Sequence, residues 1–211
     1  MCIASLAAQD KCSKFYPITE SASYVHTLYD NDNNELGKVT YSVNAIRVNS
    51  ADYTVKIEAM GFSRESKYRI NCYDTGVSMY PISTGLAGAR SGSATTTGDN
   101  IYLPNELEVG ETLDDVEMNI RAGSANMTRI MKDRKVLRQE TITTPVDTFE
   151  DCYVLEYFVE MGIGPGMTMK TKTLQWLKEG VGVVRTEEYN FNESTGDYML
   201  ENISELTSRT N

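Results

Sequence analysis

Between residues 52 and 59 the chain alternates strictly: Tyr53, Val55, Ile57 and Ala59 fall on one side, with charged or polar residues between them. A period of two puts successive side chains on opposite faces, so this segment predicts a half-buried β-strand. Signals of the same kind recur over residues 24–29, 38–48, 65–73, 116–120, 127–138, 152–160, 167–177, 181–189 and 198–206. Turn chemistry separates them. The Asn/Asp-rich stretch 30–37, Asp74-Thr75-Gly76, the Gly-rich stretch 161–166 and residues 190–197 all favour reversals.

Two hairpins stand out. One runs from Thr141 through Thr144-Pro145-Val146-Asp147 into Cys152-Tyr153-Val154-Leu155, and the other from Gln175 through Glu179-Gly180 to Tyr189. Each sets β-branched and aromatic residues on both sides of a short Pro- or Gly-bearing break. Roughly ten to twelve strands at this spacing, without crossover helices, predict an all-β fold. The expected architecture is an antiparallel curved sheet forming a barrel, half-barrel or sandwich, with at most one short helix, opening at Pro104. Residues 81–100 are rich in Gly, Ser, Thr and Ala, and predict a long loop that is mobile or functional.

The chain has 211 residues, 40% of them hydrophobic, enough for one β domain with a real core. Residues 1–10 end in small side chains before polar Asp10-Lys11, and are read as the residual tail of a secretory signal; residues 11–211 form the single domain. No run of about 18 apolar residues is present, so no transmembrane segment is expected. A formal net charge of -10 with no Lys/Arg cluster disfavours nucleic acid and anionic membrane surfaces as partners. If Cys2 leaves with the signal, Cys12, Cys72 and Cys152 remain, and an exported protein would hold one disulfide and one free thiol. Spacing does not choose the pair.

Catalytic chemistry is poorly represented. Nucleophilic catalysis usually needs a His beside the nucleophile, and His26 is the single histidine, set inside a strand pattern. Asp114-Asp115 and Glu187-Glu188 are adjacent pairs, which in a strand point to opposite faces and form no dyad. The glycines from 85 to 92 lack a terminal Gly-Lys-Ser/Thr, so they make no phosphate loop. No metal and no cofactor is expected, and the protein is read as non-enzymatic. Met161, Met167 and Met169 cluster around one turn; thioethers bind copper, but with no His nearby they read as filler of a core or cavity.

Residues 12–17, residues 107–113, Asp133-Arg134-Lys135-Val136, Thr143-Thr144-Pro145 with Thr148-Phe149 and Cys152-Tyr153, and Trp176 with residues 180–184 form a set of motifs. Together they resemble the TapB-like family of exported proteins of unknown function from Gram-negative bacteria. The chain departs from the pattern at Val146-Asp147, where a small residue and Gly usually follow the proline. The resemblance implies an all-β fold and an envelope location, in the periplasm or at the outer-membrane surface, and carries over no catalytic residues. Lipocalin-like cups and lipoprotein carriers are its fold-level analogues.

The functional expectation is a β cup binding a lipid or another apolar or amphipathic small molecule, with Trp176, Tyr157, Tyr153, Met167 and Met169 as the ligand-binding residues. The alternative is an interaction module that offers a sheet edge or the 81–100 loop to an envelope protein partner.

Overall fold

A computed structural model describes residues 13–16, 18–83, 95–122, 125–164 and 166–210. Its strands are β1 (Ser23–Asp30), β2 (Glu35–Arg47), β3 (Ser50–Ala59), β4 (Phe62–Tyr73), β5 (Gly76–Ser83), β6 (Thr95–Gly98), β7 (Ile101–Pro104), β8 (Thr112–Leu113), β9 (Val116–Ala122), β10 (Ala125–Thr143), β11 (Thr148–Gly164), β12 (Met167–Lys178), β13 (Gly182–Asn192) and β14 (Asp197–Thr210). All belong to one 14-stranded sheet of order β6-β9-β10-β11-β12-β13-β14-β1-β2-β3-β4-β5-β7, with β8 paired to β10 off this path. Every pairing is antiparallel. The all-β expectation holds. No helix occurs among the described residues, so Pro104 ends a strand instead of opening a helical turn, and none is available to cross a membrane.

The strands outnumber those expected because Gly/Ser/Thr-rich stretches also pair. Residues 81–83 and 95–98, expected in a long loop, complete β5 and form β6. Residues 84–94, with the glycines weighed as a phosphate loop, lie outside the described residues, as do residues 1–12. The turn expected over residues 161–166 is much shorter, since β11 continues to Gly164 and β12 resumes at Met167.

Two devices curl the sheet. The long β10–β11 hairpin carries three register shifts, at Lys132/Lys135, Val136/Arg138 and Glu140/Ile142. Asp133 and Asp151 take positive φ of 53° and 52° in these strands, as bulges that bend and twist a strand do. At Gly37 (φ +155°), a Cβ would lie 2.2 Å from Glu58 O and 2.5 Å from Ala59 Cα, so β2 and β3 approach there as only glycine permits.

The hydrogen-bonded ladder does not close, yet its edges come together. β6 and β7 sit at opposite ends of the strand order while only Asp99 and Asn100 separate them in the chain. Arg134, on β10 and 4% exposed, ties the seam. Its Nη2 donates to the Tyr102 carbonyl on β7 at 2.8 Å and its Nη1 to the Asp114 carbonyl at 2.7 Å. Ile101 of β7 packs against Val116, Met118, Met131 and Val159 from the opposite edge.

One end of the curled sheet is packed solid. Phe15 enters it at 1% exposure and meets Tyr153 edge to face at 5.8 Å. The entering segment is anchored through Gly180 N to Lys14 O (2.7 Å) and Lys14 N to Asn105 Oδ1 (3.1 Å). Ile70, Val77, Val136 and Leu177, each at 0% exposure, belong to the same cluster.

Candidate functional site

Beyond the packed end the inner faces of the strands diverge around a chamber of about 220 Å³. Strands from opposite parts of the sheet line it: β1 gives Tyr24 and His26, β2 Tyr41, β3 Tyr53, β4 Tyr68, β10 Arg129, Met131 and Arg134, and β11 Leu155 and Tyr157. Tyr16, from the segment that delivers Phe15, forms part of its wall. The six tyrosines come from separate segments, and they meet because each sits at an inward position of its own strand or plug. Tyr53 and Tyr68, directly paired in register, stack at 5.4 Å and 7°. His26 meets Tyr41 edge-on at 5.4 Å.

Burial dominates the electrostatics. Desolvation pushes Tyr41 up to about 12 and raises Tyr16, Tyr53 and Tyr68 as well, so these phenols keep their protons. The same effect lowers His26 to about 4 and leaves its imidazole neutral at pH 7. Arg134 is also lowered by desolvation, but a guanidinium stays charged across any physiological pH. The chamber therefore presents neutral aromatic walls and fixed positive groups.

Two lining atoms are unsatisfied. The Tyr24 hydroxyl and Arg129 Nε are both buried with no hydrogen-bond partner among the described residues. Such groups cost about 1–3 kcal/mol each, more when charged. Arg64 Nε is a third orphan of this kind, and Arg64 shares the inner face of β4 with Tyr68, four residues away. Of the adjacent acids weighed as a dyad, Glu187 turns to Arg185 (2.7 Å). Glu188 accepts from Asn202 Nδ2 at 3.1 Å and lies close enough to Tyr41 and Tyr157 to raise both.

The residues expected to bind a ligand are dispersed. Tyr157 lines the chamber, whereas Trp176, Tyr153, Met167 and Met169 do not. Trp176 is buried where its indole Nε1 donates to Glu140 Oε1 at 2.6 Å, with Arg185 over the ring at 5.7 Å. Tyr153 belongs to the packed end against Phe15. Met167 and Met169 are 60% and 50% exposed. Tyr16, Tyr24, Tyr41, Tyr53, Tyr68, Arg129 and Arg134 were not anticipated; the available signal was a tyrosine at an inward period-two position in strand after strand, and arginines inside Met- and Val-bearing strands.

Other candidates are weaker. A concavity of about 790 Å³ on β2–β4 holds Asp52, Lys56, Glu58, Glu65, Lys67 and Arg69. Those charges pair with one another, as Arg69 with Asp52 and Lys56 with Glu58, both at 2.7 Å, so nothing there awaits a partner. Cys152 is free and buried, its thiol pushed up to about 11 by desolvation, and so unreactive; Cys72 is disulfide-bonded. No group of three or more His, Cys, Asp or Glu suited to a metal occurs among the described residues.

A family model described as DUF3108-like matches residues 19–200. The chain belongs to the DUF3108-like family. Solved structures share the fold of this family member. A crystal structure of a candidate exported protein with YmcC-like fold from Bacteroides fragilis is 19% identical, with a TM-score of 0.73 over 95% of this chain and 100% of that one. A candidate lipoprotein from Parabacteroides distasonis is 21% identical, with a TM-score of 0.73 over 94% of this chain and 99% of that one. No curated protein matches the chain.

Proposed function

We propose that this DUF3108-like chain is a non-enzymatic, exported envelope protein of the TapB-like kind, and that its inner chamber binds a compact amphipathic molecule. One observation carries the reading: an unfilled aromatic chamber containing a buried hydroxyl and a buried guanidinium nitrogen with no partner. Natural interiors leave few such groups, and those that persist call for a function or a guest. The exported and lipoprotein descriptions of the two solved relatives support export, as does the disulfide at Cys72.

The volume limits the guest. Pockets for drug-sized ligands measure roughly 300–1,000 Å³, and this chamber measures about 220 Å³. A whole diacyl lipid does not fit inside it, so the occupant is a small molecule or the end of a longer one. The sheet edges give little support to edge pairing with a partner protein, because β6 and β7 are each four residues long.

Native mass spectrometry of protein purified from its own envelope tests the reading. A co-purifying small mass, lost in a chamber-filling Met131→Trp variant that retains the far-ultraviolet dichroism and the cooperative unfolding of the wild type, is the expected result. A ligand-free wild type, or a bound mass unchanged in the filled variant, would count against it.

A further inference from the structure

Resting on that reading, we propose that the chamber selects an anionic amphipath, a single acidic group on a compact apolar body, and that Arg129 is its anchor. The orphaned atoms give the reason. Arg129 Nε and Arg64 Nε can only donate, so what completes them is an acceptor. No ion pair is found for Arg129 or Arg64 among the described residues, although short ion pairs are abundant on the outer surface, as between Lys132 and Glu160 at 2.6 Å. Arg134 cannot serve in their place, because two of its nitrogens are spent on the Tyr102 and Asp114 carbonyls that hold the seam.

The sign of the interior opposes that of the molecule. The chain carries a net charge of -10, yet Arg129 and Arg134 line the chamber while His26 and the tyrosines are neutral. Glu188 is exposed and outside the chamber lining, near enough to act on Tyr41 and Tyr157, and its Oε2 accepts from Asn202. The walls around Arg129 are Met131, Ile101, Leu155 and the tyrosine rings, which suit an apolar body. Desolvated surroundings also strengthen a guanidinium-to-anion contact over the same contact in water. The Tyr24 hydroxyl, able to donate or accept, supplies a further polar contact in the same space.

The test compares three probes that share one apolar body: octanoate, 1-octanol and octylamine, titrated calorimetrically into wild type, Arg129→Met and the chamber-filling Met131→Trp. Arg129→Met keeps most of the side-chain volume and removes the donors together with the positive charge; cooperative unfolding at the wild-type midpoint checks that the fold is retained. Octanoate is expected to bind wild type about tenfold or more tightly than 1-octanol, as loss of a charge-assisted hydrogen bond predicts. Arg129→Met is expected to remove that advantage without weakening 1-octanol, and Met131→Trp to abolish binding of both. Equal affinity for octanoate and 1-octanol, both blocked by Met131→Trp, overturns the anion selectivity and leaves the chamber reading standing. Preference for octylamine also overturns it, and points to Glu188. Binding indifferent to Met131→Trp, or no binding of any probe, overturns the chamber reading itself.

Discussion

At the packed end Phe15, Ile70 and Leu177 meet with at most 1% exposure, while two residues away on β4 and β12 Tyr68 and Gln175, with Tyr41 of β2, surround about 220 Å³ of unfilled space. The two regions also treat polar atoms differently. Near the packed end the Lys14, Asn105 and Gly180 polar groups find one another across the plug; in the chamber the Tyr24 hydroxyl and Arg129 Nε find nothing. Close packing and unmet hydrogen-bonding capacity are thus separated along the strand axis, one end maximising dispersion contacts and the other retaining unsatisfied polar atoms at a cost the first end offsets.

The sharpest way to break this division is to empty the packed end. Phe15→Ala is expected to cost about 3–5 kcal/mol in urea unfolding, since an aromatic buried against Tyr153 leaves a cavity that the sheet cannot collapse into. A loss below about 1 kcal/mol would show that the plug does not hold this end together.

Loosening the seam comes next. Arg134→Met strands the Tyr102 and Asp114 carbonyls and is expected to cost about 3 kcal/mol. Hydrogen exchange should accelerate in β7 while β1 to β3 keep their protection; a uniform change across the sheet would contradict a local clamp.

The chamber wall itself titrates. His26 is lowered from 6.5 to about 4 by burial, so the unfolded chain binds a proton first as pH falls. Its contribution is present in full above about pH 6.5 and is lost as pH drops towards 4, amounting to about 2 kcal/mol between pH 7.5 and 5. His26→Gln should flatten that part of the stability profile, and an unchanged slope would assign the acid sensitivity to carboxylates such as Asp52, held low by its hydrogen bond to Arg69.

The smallest effect is the most diagnostic of an unsatisfied chamber. Tyr24→Phe deletes a hydroxyl with no partner, so the free protein should be unchanged or gain up to about 1 kcal/mol. A clear loss of stability would mean that the hydroxyl is bonded in solution.

The fold was readable because period-two alternation survives between the bulges, as throughout β3, and the Thr144–Asp147 and Gly180 reversals appear where the turn residues stand, with Thr143 opposite Thr148 and Lys178 opposite Gly182. The chamber was not readable, for two physical reasons. Which tyrosines meet depends on register among strands far apart in the chain, such as β4 and β11, which share the chamber without pairing. Large size also misleads about facing: β12 runs regularly through residues 173–177 with Gln175 lining the chamber, so Trp176 takes the opposite face and turns to Glu140. Tyr157 faces the chamber together with Leu155 because β11 and β12 pair regularly through both.

The most direct measurement is a crystal structure of the protein purified from its own envelope, with attention to the space bounded by Tyr24, Tyr41, Tyr157 and Arg129. The account predicts density for a compact non-protein molecule whose polar end reaches Arg129 Nε. A chamber filled by side chains, or occupied only by waters that satisfy both Tyr24 and Arg129, would contradict it.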